Sequence, residues 1–188
     1  VEDYHITDNI DSPEKNPFSA GSLENLLYSK NWIDTVQWHL EDIIREPSIN
    51  PGLALQIKRR IDKSNQDRTD LVEKIDDYFL HKYSNVSPQP GAGINTESPS
   101  WAIDRLSILA LKIYHMQQEV NRQDATEQHR NLCAAKLSVL LEQQKDLSSA
   151  IDDLLNEIEN GKKIMKVYRQ MKMYNDPSLN PVLYSKKN

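Results

Sequence analysis

Between Cys133 and Ile158 the chain marks out positions at alternating steps of four and three, all of core type except Gln144: Cys133, Leu137, Leu140, Gln144, Leu147, Ile151, Leu154 and Ile158. A 3.5-residue repeat keeps these positions on one seam of an α-helix and suits left-handed packing against neighbours. Asp124 followed by Glu127 matches a capping box, and Gly161 is a natural stop, so the pattern predicts a helix from there to Asn160. About 35 residues at 1.5 Å each would span roughly 50 Å. Partners of comparable length are needed to cover such a seam.

Three further segments supply them. Ser22 is an N-cap candidate for a helix ending near Arg45, because Pro47 forbids continuation; Leu23, Leu26, Leu27, Ile33, Val36, Leu40, Ile43 and Ile44 share one face of it. A second helix is expected from Pro51 to about Tyr83, with Leu53, Ile57, Ile61, Leu71, Val72, Ile75 and Phe79 on its apolar line. The loop from Ser84 to Thr96 precedes Ser98 and Pro99, which read as the N-cap and first residue of a third helix reaching Asn121. Beyond Gly161, Ile164, Val167, Tyr168 and Met171 continue a helical stripe that Asn175, Asp176 and Pro177 would end. Residues 1–21, with Pro13, Pro17 and Gly21, read as an irregular arm that Tyr4, Ile6 and Phe18 could anchor.

The expected fold is therefore all-α: an antiparallel bundle of four long helices over residues 22–160, with the arm at 1–21 and a short basic C-terminal helix and tail at 161–188, all one domain. Only five glycines occur and β-branched residues form no alternating runs, so substantial sheet is excluded. No internal repeat points to a solenoid. One cysteine rules out an intrachain disulfide and a multi-thiolate metal site, which suits a reducing, cytoplasmic setting. No signal-like or membrane-spanning apolar run is visible, although the chain opens on Val1 rather than Met, which leaves room for a removed upstream stretch.

Net charge is −5, but it is divided unevenly. From residue 161 onward seven Lys or Arg, among them Lys172, Lys186 and Lys187, accompany Asp176 alone; 16 basic and 27 acidic residues precede them. A basic tail folded back on an acidic bundle accounts for this, with a phosphate-rich partner as the alternative, and no nucleic-acid interface is expected.

One anomaly interrupts the second helix: Ser64 and Arg68 project from the middle of its apolar face. A buried guanidinium needs a carboxylate or comparable acceptor, because lone charges are costly to desolvate. On the first helix Lys30 and Gln37 lie near the centre of the apolar face, and Asp34 and Glu41 near its edge. A polar layer across the bundle follows, either as a network that sets helix register or as the wall of a ligand site. The acidic series Asp67, Asp70, Glu73, Asp76 and Asp77 resembles a cation-holding ladder, but Asp70, Glu73 and Asp77 lie opposite Ile75 and Phe79 and read as a solvated face.

Glu2 to His5 is the sole Glu-x-x-His match and falls outside any expected helix; the other histidines show no HExxH spacing, and His39 with Asp42 and His115 with Glu119 read as ordinary helical pairs. No metal and no cofactor is expected. Cys133 reads as a packing thiol on its seam. Tyr28 and Trp38, together with Trp101, Ile108 and Leu111, lie off the main apolar stripes and want another surface: the arm, the tail, or a second subunit.

The segments SLENLLYSKNWIDTVQWHLEDIIR (22–45), SNQDRTDLVEKID (64–76), INTESPSWAIDRLSILALKIYHM (94–116) and KVYRQMKMYNDPSLNPVLY (166–184) resemble a bacterial family known as domain of unknown function 4254. The resemblance implies a bacterial helical protein and carries no catalytic residues across. Two functional readings remain: a non-enzymatic interaction or scaffold module that self-associates or binds another protein, and a binder of, or enzyme for, a small phosphorylated or otherwise anionic ligand at Asp34, Gln37, Glu41, Ser64 and Arg68.

Overall fold

The computed structural model describes residues 1–171, 173 and 176–185. Its elements are α1 (Glu2–His5), α2 (Leu23–Ile44), α3 (Pro51–Lys82), α4 (Pro99–Asn121), α5 (Glu127–Glu159) and α6 (Pro181–Tyr184). No strand occurs among the described residues, and none of their helices is long and apolar enough to cross a membrane.

Local chemistry explains the helix starts. The Ser22 hydroxyl accepts from the Asn25 N–H at 3.1 Å, and the Asn50 side chain accepts from the Gly52 and Leu53 N–H groups, with Pro51 occupying the first turn. At α5 the expected cap is displaced: Thr126, not Asp124, accepts from the His129 N–H at 3.2 Å. Thr126 stands immediately before the helix and reaches its open donors, while Asp124 pairs instead with Arg122.

Helix α2 packs along α3 and α4 along α5; α2 and α3 both also pack against α4. With its sides taken by three partners, α4 keeps few exposed positions, chiefly Arg105, Lys112, Gln117 and Gln118. Leu111 is fully buried for that reason, which corrects its expected place on an outward-facing surface. The α5 seam is laid out as its spacing predicts, with each of its eight positions buried or half-buried and Leu132, Lys136, Val139 and Gln143 exposed beside it.

The core is divided along the bundle. At one end Ile75, Phe79 and Tyr83 of α3 meet Ile158 of α5, with Leu23, Leu26 and Leu27 of α2 packed against them. At the other, Leu40 of α2 meets Ile57 and Ile61 of α3, with Ile10 of the arm alongside. Lys30 and Asp34 of α2 and the polar run 64–68 of α3 fall between these two clusters in sequence.

The stretch after α5 corrects the sequence reading. Ile164, Val167, Tyr168 and Met171 lie in an irregular segment, not a helix, and the short helix that does follow, α6, is not basic. Lys172, Asn175, Lys186 and Lys187 lie outside the described residues. The cause is the cap of α5: Gly161, at φ +68, donates to Ile158 O at 2.9 Å while Lys162 donates to Glu157 O at 2.8 Å, a pair of bonds that turns the chain out of the helix. Ile164 N–H then bonds Gly93 O at 2.9 Å and Gln89 N–H bonds Gly161 O at 2.8 Å, stitching this segment to the α3–α4 loop. Further on, Arg169 lies on the acidic face of α3, bonded to the Glu73 carbonyl and the Asp77 carboxylate, so this part of the basic segment does fold back.

A side chain at 161 would suffer twice, from the left-handed backbone and from a Cβ only 2.7 Å from Ser87 O. Gly161→Ala is expected to lower stability by about 1–3 kcal/mol, to be read from the urea midpoint at unchanged slope.

Candidate functional site

The polar layer is a four-charge cluster drawn from three helices. Lys30 and Asp34, one turn apart on α2, form an ion pair that is almost completely enclosed; Lys30 also reaches Asp104 Oδ1 at 2.8 Å. Arg68 of α3 engages Asp104 of α4 side-on, its Nε donating to Oδ1 at 2.9 Å and its Nη2 to Oδ2. The same Nε lies 3.3 Å from Asp34 Oδ1, and Ser107 donates to Asp34 Oδ2 at 2.6 Å. Asn31 in turn donates to the Ser107 hydroxyl at 3.0 Å.

Each carboxylate responds differently. Burial pushes Asp34 above the usual carboxylate range in spite of Lys30, Ser107 and Arg68. Burial acts in the same sense on Asp104, but the Arg68 hydrogen bonds and the Lys30 charge outweigh it and hold the group below its ordinary value. For Arg68, desolvation is overcome by the Asp104 and Asp34 carboxylates, which strengthen its hold on the proton.

Lys30 is 1% exposed, whereas Arg68 is 28% exposed and lies where two open clefts meet. The first, about 350 Å³, is lined by Asp34, Gln37, Trp38, Glu41, Asp42 and Arg45 in addition to Arg68 and Ile108. The second, about 610 Å³, runs between α4 and α5 and carries Arg105, Lys112 and Asp146 beside Leu109, Leu147 and Ala150. Arg68 and Ile108 belong to both. The Nε and Nη2 groups of the fork are taken by Asp104, while Nη1 has no hydrogen-bond partner among the described residues.

The structure brings Asp34, Gln37, Glu41, Ser64 and Arg68 to this region in distinct ways. Gln37 accepts from Ser64 at 3.0 Å and donates to Asn65 at 2.8 Å, a side branch of the layer. Glu41 stands on the rim of the first cleft and pairs with Arg45 at 3.1 Å. Sequence reasoning missed Asp104 and Ser107, although they lie three residues apart on α4 and, with Arg105, interrupt a largely apolar stretch. The aromatic residues find intramolecular contacts. Tyr28 donates to Asp3 of the arm and stacks on Trp32, Trp38 stacks on His115, and Trp101 lines a hollow with Lys166, Val167 and Tyr168 of the C-terminal segment.

A second grouping had no local signature. His5 of α1, His39 of α2 and His115 of α4 each place a ring nitrogen within 4.8 Å of the other two. His5, expected in an irregular arm, is in a short helix. The expected His115–Glu119 pair does not form: Glu119 bonds His129 at 2.8 Å and Arg122 at 2.8 Å, and Cys133 Sγ is 3.4 Å from that same His129 nitrogen. Of the acidic series, Asp67 pairs with Lys63, Asp70 with Gln66, and Glu73 and Asp77 with Arg169. Asp76 is buried beside Ser98 and Ser100 at the start of α4, where burial raises its pKa against the pull of the two hydroxyls.

A family model described as "Protein of unknown function (DUF4254)" matches residues 24–167. No curated protein and no solved structure matches the chain. The matched span contains Lys30, Asp34, Arg68 and Asp104 and stops short of His5.

Removing Lys30 leaves two buried carboxylates, Asp34 and Asp104, to share the single positive charge of Arg68. Lys30→Met is expected to cost about 3–5 kcal/mol, and Lys30→Met combined with Asp34→Leu to recover most of it. Urea unfolding of both single variants and the double variant gives the coupling; strict additivity would show that the pair does not act as a unit.

Proposed function

We propose that this chain, which belongs to the DUF4254 family, is a small-molecule-binding protein whose site is the double cleft over Arg68, and that the ligand carries an anionic group, such as a phosphate or carboxylate, on an otherwise apolar body. One observation carries this reading: a guanidinium oriented by Asp104, with Nη1 unengaged, at the junction of two open clefts. An arginine fixed along one edge is already ordered before the ligand arrives, so less conformational freedom is lost on binding. Because Asp34 and Asp104 balance Lys30 and Arg68, the layer itself is neutral and the added anion would not meet a field of uncompensated acid. Ile108, Leu109 and Leu147 offer apolar contact next to the arginine, the mixture typical of small-molecule sites. Arg105 and Lys112, at the rim of the larger cleft, supply further positive charge.

The aromatic surfaces that favoured an interaction module lose much of their force, since Tyr28, Trp38 and Trp101 all have intramolecular neighbours. A narrower form of that reading keeps its own support. Leu132 and Val139, seven residues apart on α5, are 58% and 53% exposed, and the helix pairs there mainly with α4. Light scattering tests it: a concentration-dependent dimer that Leu132→Lys with Val139→Lys dissolves would favour self-association through this face, and a monomer at all concentrations would remove it.

For the cleft, thermal unfolding against nucleotides, sugar phosphates and fatty-acid-like carboxylates is the direct test. A ligand at 100 times its Kd should stabilise by about 2.7 kcal/mol, a shift of a few degrees. Arg68→Lys keeps the charge but loses the fork; measured against its own ligand-free melting temperature, it is expected to lose most of that shift. A panel with no hit, or a hit indifferent to Arg68→Lys, would defeat the proposal.

A further inference from the structure

We infer that His5, His39 and His115 form a binding site for a divalent transition metal of the zinc type, joining the N-terminal arm to α2 and α4. The argument begins with convergence. The three imidazoles come from segments separated by 34 and 76 residues, yet each offers a ring nitrogen within 4.8 Å of the other two. Zinc held at about 2.1 Å by imidazoles in a tetrahedral set places ligand nitrogens about 3.4 Å apart. The His5 and His39 Nε2 atoms, at 3.1 Å, are already near that spacing, and modest side-chain rotation closes the remainder.

Two observations distinguish this cluster from three histidines that merely pack together. The first concerns tautomers. His5 Nδ1 lies 2.8 Å from the Val1 carbonyl; a carbonyl only accepts, so Nδ1 carries the hydrogen and the Nε2 lone pair points to the cluster. This is the outer hydrogen bond that metal-binding histidines commonly make. The second is an unmet group. His39 can donate to His5, but His115 Nε2 is buried with no hydrogen-bond partner. A buried polar nitrogen left open is uncommon in a folded chain and calls for a partner, which a metal ion would supply directly or through closure of the cluster.

The surroundings hold the rings in place. Tyr114 stacks on His5 at 4.3 Å, Tyr4 on His39 at 5.1 Å and Trp38 on His115 at 4.7 Å. Asp8, whose backbone takes φ 47, brings Oδ1 to 3.8 Å from His39 Nε2. Its carboxylate is the nearest additional ligand, and a water is the alternative; either completes four-coordination around three imidazoles. The ligand set is nitrogen and oxygen without sulfur, which suits Zn²⁺, Co²⁺, Ni²⁺ and Cu²⁺ over the harder Mg²⁺ and Ca²⁺. The inference does not rest on the Arg68 cleft.

The test uses the full chain, stripped with chelator and carrying His129→Gln, so that the separate group of Glu119, His129 and Cys133 does not contribute. Calorimetric titration with Zn²⁺ should show one saturable site, and the melting temperature should rise with metal. His39→Gln and His115→Gln should each weaken binding by roughly a hundredfold or more. Should either variant fold poorly, Co²⁺ added to the His129→Gln chain gives an independent reading: intense visible bands of four-coordinate cobalt, with no thiolate charge-transfer band, support the site. Lack of saturable binding, unchanged affinity in both folded histidine variants, or a thiolate-type cobalt spectrum would overturn it.

Discussion

Desolvation of charge in the middle of the bundle is the constraint around which the other features are arranged. Lys30 and Asp34 are withdrawn from water, and neither would be tolerated there alone, so α2, α3 and α4 must meet in one register that lets Asp104 touch both Lys30 and Arg68. Apolar stripes by themselves permit helices to slide past each other by a turn with little penalty. A slip here would strand at least one charge. The two apolar clusters on either side provide the area that drives association, and the layer between them decides the alignment.

The ends of the bundle are closed by different means. At the α5 terminus, Gly161 takes a conformation that other residues resist, and the chain after it satisfies its backbone by pairing with the α3–α4 loop instead of continuing as helix. At the opposite side the arm is held by side chains: Arg60 reaches the Ile10 carbonyl at 3.0 Å, and Tyr4 is buried against Trp32 and His39. These closures bring basic residues to acidic α3 and histidine to histidine, and so account for much of what the surface presents.

The Arg68 cleft and the histidine cluster share a wall. Trp38 lines the cleft and stacks on His115, so the indole is the physical link between the two regions. Asp42 adds to the connection: it lines the same cleft, and its charge opposes the lowering of the His39 and His115 pKa values that burial and the neighbouring imidazoles produce.

Much of the fold was legible in the chain because helices are local. The 3.5-residue seam of α5, the cap at Ser22, the Pro at the start of α3 and α4 and the stop at Gly161 each depend on residues a few positions apart. Arg68 announced the polar layer for the same reason, since a charge on an apolar face is visible on one helix alone. Its main partner was not, because Asp104 lies 36 residues away and pairing across helices depends on their rotation and register. The non-helical segment after Gly161 was missed because a helical stripe competes there with a backbone bond to Gly93 that no periodicity encodes. What the sequence alone determined was which stretches are helical and which faces seek burial, through periodicity and capping. Which charges met, that Leu111 is enclosed, and that three scattered histidines face one another were decided only by tertiary structure, because each depends on how separate helices rotate and stack once water has been excluded between them.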